Sequence, residues 1–255
     1  MSLADEYRRQ FAWRSWPMIL DALPPLRGAT VLDLGCSPGD VAALLADRGA
    51  RVIGVDLNEE LLAAARARGL PGAEFRSADL RALPDLGVEA DGVWASFSAA
   101  YFVDLPPMIA SWTANLRPGG WIALTEIDDF FGQEPLGSRA KELLQSYSRA
   151  ALAAQRYDFR MGRKLGQHLQ RGGMQVIRTL APPDLEFAFS GPARPDVLEG
   201  WRARFAHMTL LREAFGPEYA AVRDDFLACL ARPDHRSLSS VQCCIAVKPA
   251  GSAPP

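Results

Sequence analysis

Three aspartates and two glycines are the residues of this chain whose types and spacing could do chemistry. Asp33 and the glycines lie in Val31-Leu32-Asp33-Leu34-Gly35-Cys36-Ser37-Pro38-Gly39-Asp40, where an apolar run meets a glycine turn and then the helical pattern Val41-Ala-Ala-Leu-Leu-Ala. A strand that passes through such a turn into a helix aims backbone N–H groups and the positive end of the helix dipole at one point, which suits a polar or anionic group. Glycine belongs there because a Cβ would fill the space a ligand needs, or would require a backbone angle other residues resist. Asp33 places a carboxylate at the end of an apolar strand, and burying it costs free energy unless a cation or hydrogen-bond donor meets it. Asp56 closes the next apolar run, Arg51-Val-Ile-Gly-Val-Asp56, 21 positions after Gly35. That is the distance at which an acid can hold the two hydroxyls of a ribose. Asp79 follows a third run, Phe75-Arg-Ser-Ala-Asp79-Leu80. Three successive strands each closed by an acid would present all three carboxylates at one sheet edge.

The elements that must position them follow from the alternation of short apolar stretches and amphipathic ones between Ala29 and Glu126, the pattern of βαβ units. The expected fold is α/β, a doubly wound and mostly parallel sheet. Asn58 is the expected N-cap of a helix over Glu59 to Arg68, with Gly69 as its stop. Residues 3 to 23 read as a helix interrupted near Pro17, with Tyr7, Phe11 and Arg14 on one face. Arg14 on that apolar stripe either snorkels to water or meets a carboxylate. Trp13 and Trp16 fall on other faces. Beyond Glu126 the alternation changes. Helices are expected over Leu136 to Gln155 and Lys164 to Arg171, strands over Met174 to Leu180, extended by Asp184 to Phe189, and over Val241 to Val247, with a helical insertion from Pro195 to Leu230 between them. In that insertion Trp201, Phe205, Met208 and Phe215 share a face with Arg204 and Arg212. These arginines must pair with protein acids such as Asp128 or Asp129, or meet an acidic ligand. His207 lies off the stripe, and His168, in a polar run, reads as solvated.

At this point the chain resembles the class I, Rossmann-like S-adenosylmethionine-dependent methyltransferases, in particular the small-molecule branch similar to the quinone-biosynthesis methyltransferases. The resemblance runs motif by motif over residues 29 to 130: the acid and Gly-x-x-x-Gly of Asp33 to Gly39, with Ser37 where the family has its central glycine; the strand-end acids; and Leu116-Arg-Pro-Gly119-Gly120 before the strand Trp121 to Glu126. It implies seven strands with an antiparallel last strand, an N-terminal helix and a helical lid insertion. By resemblance, Asp33, Gly35, Cys36, Ser37 and Gly39 form the cofactor turn, Asp56 binds the ribose, Asp79 binds the adenine amino group, Leu57 and Leu80 flank the base, and Ser96 and Phe97 line the methionine moiety. The cofactor implied is S-adenosyl-L-methionine, with S-adenosyl-L-homocysteine as product.

The implied organisation is an N-terminal helical cap over 1–28, a cofactor-binding core over 29–130, and a C-terminal half over 131–248 with its lid at about 136–160 and 195–230. A tail, expected to be disordered, covers 249–255. Acceptor contacts are expected from Tyr7, Phe11, Arg14, Tyr101, Phe130, Arg204 and Arg212. Candidate bases are Glu126, Asp128 and His207; cation–π support for a sulfonium falls to Tyr101, Phe102, Phe130 and Phe131. In-line displacement needs no dedicated catalytic side chain, since orientation alone can contribute ~7–11 kcal/mol. A protein that binds the cofactor without transferring its methyl is the alternative, because a fold and cofactor site do not fix the reaction. A nicotinamide-dependent oxidoreductase is more remote, for the Gly-x-Gly-x-x-Gly order and a Tyr-x-x-x-Lys pair are missing.

The bulk properties agree with a small-molecule substrate. The chain has 255 residues, 49% of them hydrophobic, and a formal net charge of −2. Nothing in that balance marks a nucleic-acid or membrane-surface partner. No apolar run approaches the ~20 residues of a membrane helix, and the N-terminus lacks the order of a signal peptide, so a cytoplasmic location is the expectation. Cys36, Cys229, Cys243 and Cys244 have neither redox nor metal spacing. Oligomeric state stays open.

Overall fold

The computed structural model describes residues 2–250; most of the tail expected at 249–255 therefore lies outside the described residues. The chain opens with α1 (Leu3–Phe11) and α2 (Trp16–Leu20). Ser2 and Asp5 form a reciprocal capping box at the start of α1, which satisfies two backbone donors that the first helical turn leaves free. Trp16 precedes Pro17 at the start of α2, where proline's missing N–H costs nothing.

The core then alternates β1 (Thr30–Leu34), α3 (Asp40–Asp47), β2 (Arg51–Asp56), α4 (Glu59–Arg66), β3 (Ala73–Ser77), β4 (Ala90–Ser96), α5 (Leu105–Trp112) and β5 (Leu116–Asp128). The Asn58 side chain caps α4 by accepting from Glu60 N and Leu61 N. Strand β3 ends at Ser77. Asp79 lies just beyond it, where its carboxylate accepts from Arg81 N and starts the tight turn Leu80–Ala82.

The remaining elements are β6 (Gln133–Glu134), α6 (Ser138–Ala153), α7 (Leu165–Arg171), β7 (Gln175–Leu180), α8 (Pro195–His207), α9 (Thr209–Phe215), α10 (Tyr219–Leu230), β8 (Arg236–Ser237) and β9 (Ser240–Val247). Seven strands form one sheet in the order β3-β2-β1-β4-β5-β9-β7, while β6 and β8 pair separately. Strands β1 to β5 run parallel, and β9 runs antiparallel to both its neighbours, β5 and β7. The chain winds outward from β1 through β2 to β3 and then returns to place β4 on the other side of β1. That reversal opens a crevice beyond the carboxyl ends of β1 and β4, where doubly wound sheets bind ligands.

Side chains alternate across the sheet into two cores. Val31, Trp94, Trp121 and Cys243 join Trp16 and Ile19 on one face; Leu32, Val93, Leu124 and Cys244 join Trp112 and Leu169 on the other. The adjacent cysteines are thus packing residues that belong to separate cores. A third cluster, built from Phe130, Phe131, Trp201, Phe205 and Phe226, lies under the C-terminal helices. Each of its large side chains contributes roughly 1.5–3 kcal/mol by leaving water.

The strand expected at 184–189 and the solvated His168 need correction, and the expected helical insertion divides into separate helices. The segment Asp184 to Phe189 makes only isolated bridges, not a strand. The Asp184 carboxylate accepts from Glu186 N and Phe187 N, so the backbone bends into a side-chain-capped turn. The 195–230 insertion is three helices, broken at Met208, whose ψ is 67°, and at Gly216 with φ +50°. His168 is buried on the inner side of α7, and burial lowers its pKa. No helix among the described residues is long and apolar enough to cross a membrane.

Candidate functional site

A cavity of about 460 Å³ opens at the crevice between β1 and β4, and residues from both ends of the chain line it. Its floor is the glycine turn. Gly35 has φ +75°, and a Cβ there would meet Ser98 Oγ at 2.2 Å. Ser37 also has positive φ, and Gly39 at φ +78° starts α3. The turn is tied to the neighbouring strand by Gly35 N and Cys36 N, which both donate to Val55 O. Ser37 N donates to Asp56 Oδ2 and Asn58 N to Asp56 Oδ1, each at 2.9 Å. These two bonds fix the Asp56 carboxylate at the end of β2. Asp33 is only 2% exposed, and its Oδ2 has no partner. Burial and the nearby Asp56 push its carboxyl up to about 7. Ser96 Oγ and Trp94 Nε1 are also buried without partners beside this floor. Burial drives the Cys36 thiol far above the ordinary range, so it is an inert packing group.

The opposite wall comes from distant segments. α1 and the turn after it supply Tyr7, Phe11 and Arg14; the turn after β4 supplies Tyr101 and Phe102; Phe130, Tyr157 and Arg204 complete the wall. Arg14 Nη1 donates to both oxygens of Asp184 at 3.0 and 2.8 Å, and Nη2 to Glu186 Oε2 at 2.6 Å. Its guanidinium lies 5.0 Å from the Phe97 ring centroid and 5.2 Å from that of Phe187. Arg204 Nη2 donates to the other Glu186 oxygen at 2.6 Å, and its Nε is buried without a partner. Burial opposes the charge on Glu186, yet two guanidinia hold its pKa below the ordinary value; at Asp184, with Arg14 alone, burial prevails and the pKa is raised. Tyr101 and Tyr157 meet edge to face with ring centroids 4.9 Å apart. Burial raises the phenols of Tyr7, Tyr101 and Tyr157, which therefore stay protonated.

The structure brings most of the expected site residues together. Asp33, Gly35, Cys36, Ser37, Asp56, Leu57, Asp79, Leu80, Ser96 and Phe97 all line this cavity, as do Tyr7, Phe11, Arg14, Tyr101, Phe130 and Arg204; Gly39 shapes the turn from outside it. The three candidate bases and Arg212 lie elsewhere. Glu126 is completely buried, with Oε1 accepting from Ala100 N at 2.9 Å. Asp128 accepts from Arg163 Nε at 2.6 Å. His207 is exposed and meets Glu6 at 3.2 Å. Arg212 is exposed because α9 has turned away after the break at Met208, and its Nη2 donates to Ala206 O. The acid expected for Arg204 was Asp128 or Asp129; those pair with Arg163 and Arg160, and Glu186 takes the place. Phe131 packs in the cluster under the C-terminal helices and does not reach the cavity.

Asp184, Glu186 and Tyr157 are the participants sequence reasoning missed. The signal for Glu186 was present: like Asp33, it is an acid within an apolar stretch, Leu185-Glu186-Phe187. No group of three or more His, Cys, Asp or Glu among the described residues could hold a metal ion.

A glycine turn at the switch point of a doubly wound sheet, facing acids at successive strand ends, defines the Rossmann-like methyltransferase class of fold. Residues 31–120 match the family model for the methyltransferase domain. It is 33% identical over 114 residues to a malonyl-[acyl-carrier protein] O-methyltransferase of Enterobacter lignolyticus, covering 45% of each chain. It is 37% identical over 142 residues to a trans-aconitate 2-methyltransferase of Paracidovorax citrulli, covering 54% of each. The chain thus spans about half the length of the curated relatives it matches. A crystal structure of an S-adenosylmethionine dependent methyltransferase from Mesorhizobium loti superposes with a TM-score of 0.55 at 22% identity, covering 91% of this chain and 96% of that one, and shares the fold.

Proposed function

We propose that the protein transfers the methyl group of S-adenosylmethionine to a small, partly apolar acceptor carrying an anionic group, as a tailoring enzyme of small-molecule metabolism. The observation that carries this reading is the convergence of Asp33, Asp56 and Asp79 on one cavity whose floor holds buried polar atoms without partners. The residues fit the cofactor. Asp33 Oδ2 and Ser96 Oγ are the orphaned atoms that the polar end of its methionine part would satisfy. Asp56 is fixed by two backbone donors and keeps acceptor capacity for ribose hydroxyls. Asp79, Leu57, Leu80 and Phe97 line the same cavity, where Asp79 would take the adenine amino group, Leu57 and Leu80 the base and Phe97 the methionine part. The bound cofactor supplies an electrophilic methyl carried on sulfur.

The chain's own contribution is orientation and exclusion of water. Tyr7 and Phe11 cover the cavity from α1, and Arg204 faces it from α8. The three carboxylates suit a cationic ligand on one side, while the guanidinium and aromatic rings of the other side suit a partly apolar anion.

Calorimetric titration with S-adenosylmethionine and S-adenosylhomocysteine, with NADH and NADPH as controls, tests the reading. Micromolar binding of the adenosyl compounds alone is expected. Binding of a nicotinamide, or of none of the four, would overturn it.

A further inference from the structure

The acceptor wall of the cavity contains donors without acceptors and no free base. Arg14 is spent, since its Nη atoms are bonded to Asp184 and Glu186 and its side chain is only 5% exposed. Arg204 has a single hydrogen bond, from Nη2 to a carboxylate it shares with Arg14. Its Nε, and an Nη1 that bonds nothing among the described residues, remain for a ligand. The hydroxyls of Tyr7, Tyr101 and Tyr157 likewise have no partner among the described residues, unlike Tyr219, whose hydroxyl donates to Phe205 O. The Arg204 guanidinium and three phenols, of which Tyr7 and Tyr101 also reach solvent, thus line a space where nothing among the described residues accepts from them, and an oxyanion there would be met by the buried Arg204 Nε.

The lining carboxylates tell the other half. Asp33, Asp40, Asp56 and Asp79 stand at the ends and turns of β1 to β3, on the cofactor side, and Asp40 is paired with Arg68. Glu126 is sealed behind the backbone of Ala100, Asp128 is held by Arg163, and His207 is outside. No lining histidine or carboxylate stands on the Arg204 side to take a proton from an acceptor. A hydroxyl, phenol or ammonium acceptor has a proton to lose and would gain rate from one.

From this pairing of free donors with a missing base, we infer that the acceptor atom is a carboxylate oxygen, which arrives already ionised, and that the product is a methyl ester. This rests on the cofactor reading above. A carboxylate oxygen lone pair forms the new O–CH3 bond while the electrons of the S–CH3 bond go to sulfur; no proton moves and no further reactant is needed. Substrate carboxylate and sulfonium lose their charges together, so Arg204 and the phenols hold the acid more tightly than the neutral ester, and the product leaves.

The test uses the full chain with S-adenosylmethionine labelled in its methyl group and a small-molecule extract of bacterial cells as the acceptor pool. Mild alkali releases label from methyl esters as methanol and leaves ethers and N-methyl groups intact. The expected result is alkali-labile label, reduced about 10- to 100-fold by Arg204→Met, as for loss of a charged hydrogen-bond donor. Arg204→Lys, which keeps the pair with Glu186, restores part of it. S-adenosylhomocysteine affinity, read by calorimetry, stays unchanged in both variants and shows that they are folded. Alkali-stable label, alkali-labile label that survives Arg204→Met, or no transfer from a protein that binds S-adenosylhomocysteine each overturns the carboxylate inference and leaves the cofactor reading standing. Absence of S-adenosylhomocysteine binding to the wild type overturns the cofactor reading instead.

Discussion

The two walls of the cavity are built in opposite ways. The wall proposed for the cofactor is local: a turn, the ends of β1, β2 and β4 and the loop after β3, all within residues 33 to 97, with Asp56 set by backbone donors from Ser37 and Asn58. The acceptor wall is assembled from residues as distant as Tyr7 and Arg204, and it is held by side chains meeting side chains across 170 positions or more, as Arg14 meets Asp184 and Glu186. The first is positioned by hydrogen-bonded backbone and the second by buried charge. The same kind of substitution should therefore have different consequences on the two sides.

Removing a charge from the acceptor wall should cost fold stability. Arg14→Met leaves Asp184 and Glu186 buried with only Arg204 to share, and breaking such a buried network costs about 3–5 kcal/mol. Denaturant unfolding measures it; a loss below about 1 kcal/mol would show that this wall does not depend on its ion pairs. Removing a charge from the other wall should cost binding instead. Asp56→Ala is expected to weaken S-adenosylhomocysteine by ~1.5–3 kcal/mol with the melting temperature of the unliganded protein little changed. Unaltered affinity in calorimetry would mean that Asp56 does not face the ribose.

A smaller effect, read by pH, belongs to neither wall but to the buried acid behind the cavity. Burial pushes the Glu126 carboxyl from an ordinary 4.5 up to about 8, so the folded state holds that proton more tightly than the unfolded chain. The stability this contributes is complete below pH 4.5 and is lost as pH rises through 8. Glu126→Gln cannot ionise and keeps an acceptor for Ala100 N–H, so its melting temperature relative to wild type should climb between pH 5 and pH 8.5. A constant difference would place a charged carboxylate there. The smallest effect belongs to His207→Gln and Arg212→Met, both on the surface away from the cavity. Each should change stability by less than about 0.5 kcal/mol and leave methyl transfer intact in the labelled assay; a large loss of transfer from either would put the acceptor outside the cavity.

How much was legible in the sequence follows the same division. The glycine turn, the acids at Asp33 and Asp56 and the helix cap at Asn58 were readable because each is a short-range pattern, in which a strand period gives way to a turn and then to a helix period. That Tyr7, Phe11, Arg14 and Arg204 line the cavity was readable as odd polar or aromatic positions in apolar stripes. Their partners were not. A helical stripe shows that Arg204 needs an acid but not which one, because the period of a helix says nothing about what packs across from it. The stripe itself was misleading at Arg212, because one helical period was carried through Met208, where the helix breaks. The expected strand at 184–189 failed for a related reason. Its alternation was real, but the Asp184 side chain captured the backbone N–H groups a ladder would have used.

The buried quartet of Arg14, Asp184, Glu186 and Arg204 has one more consequence, for anyone seeking a sturdier version of this protein. Breaking one member is costly, but exchanging a whole buried ionic cluster for apolar residues of similar volume is often neutral or stabilising by about 1–4 kcal/mol. A selection for heat resistance alone would thus be free to erase all four charges together. The survivor would keep its glycine turn and strand-end acids and, on the reading above, would still take up its cofactor while having lost the guanidinium that recognises an acid. Screens for robustness and screens for acceptor recognition would pull this one cluster in opposite directions.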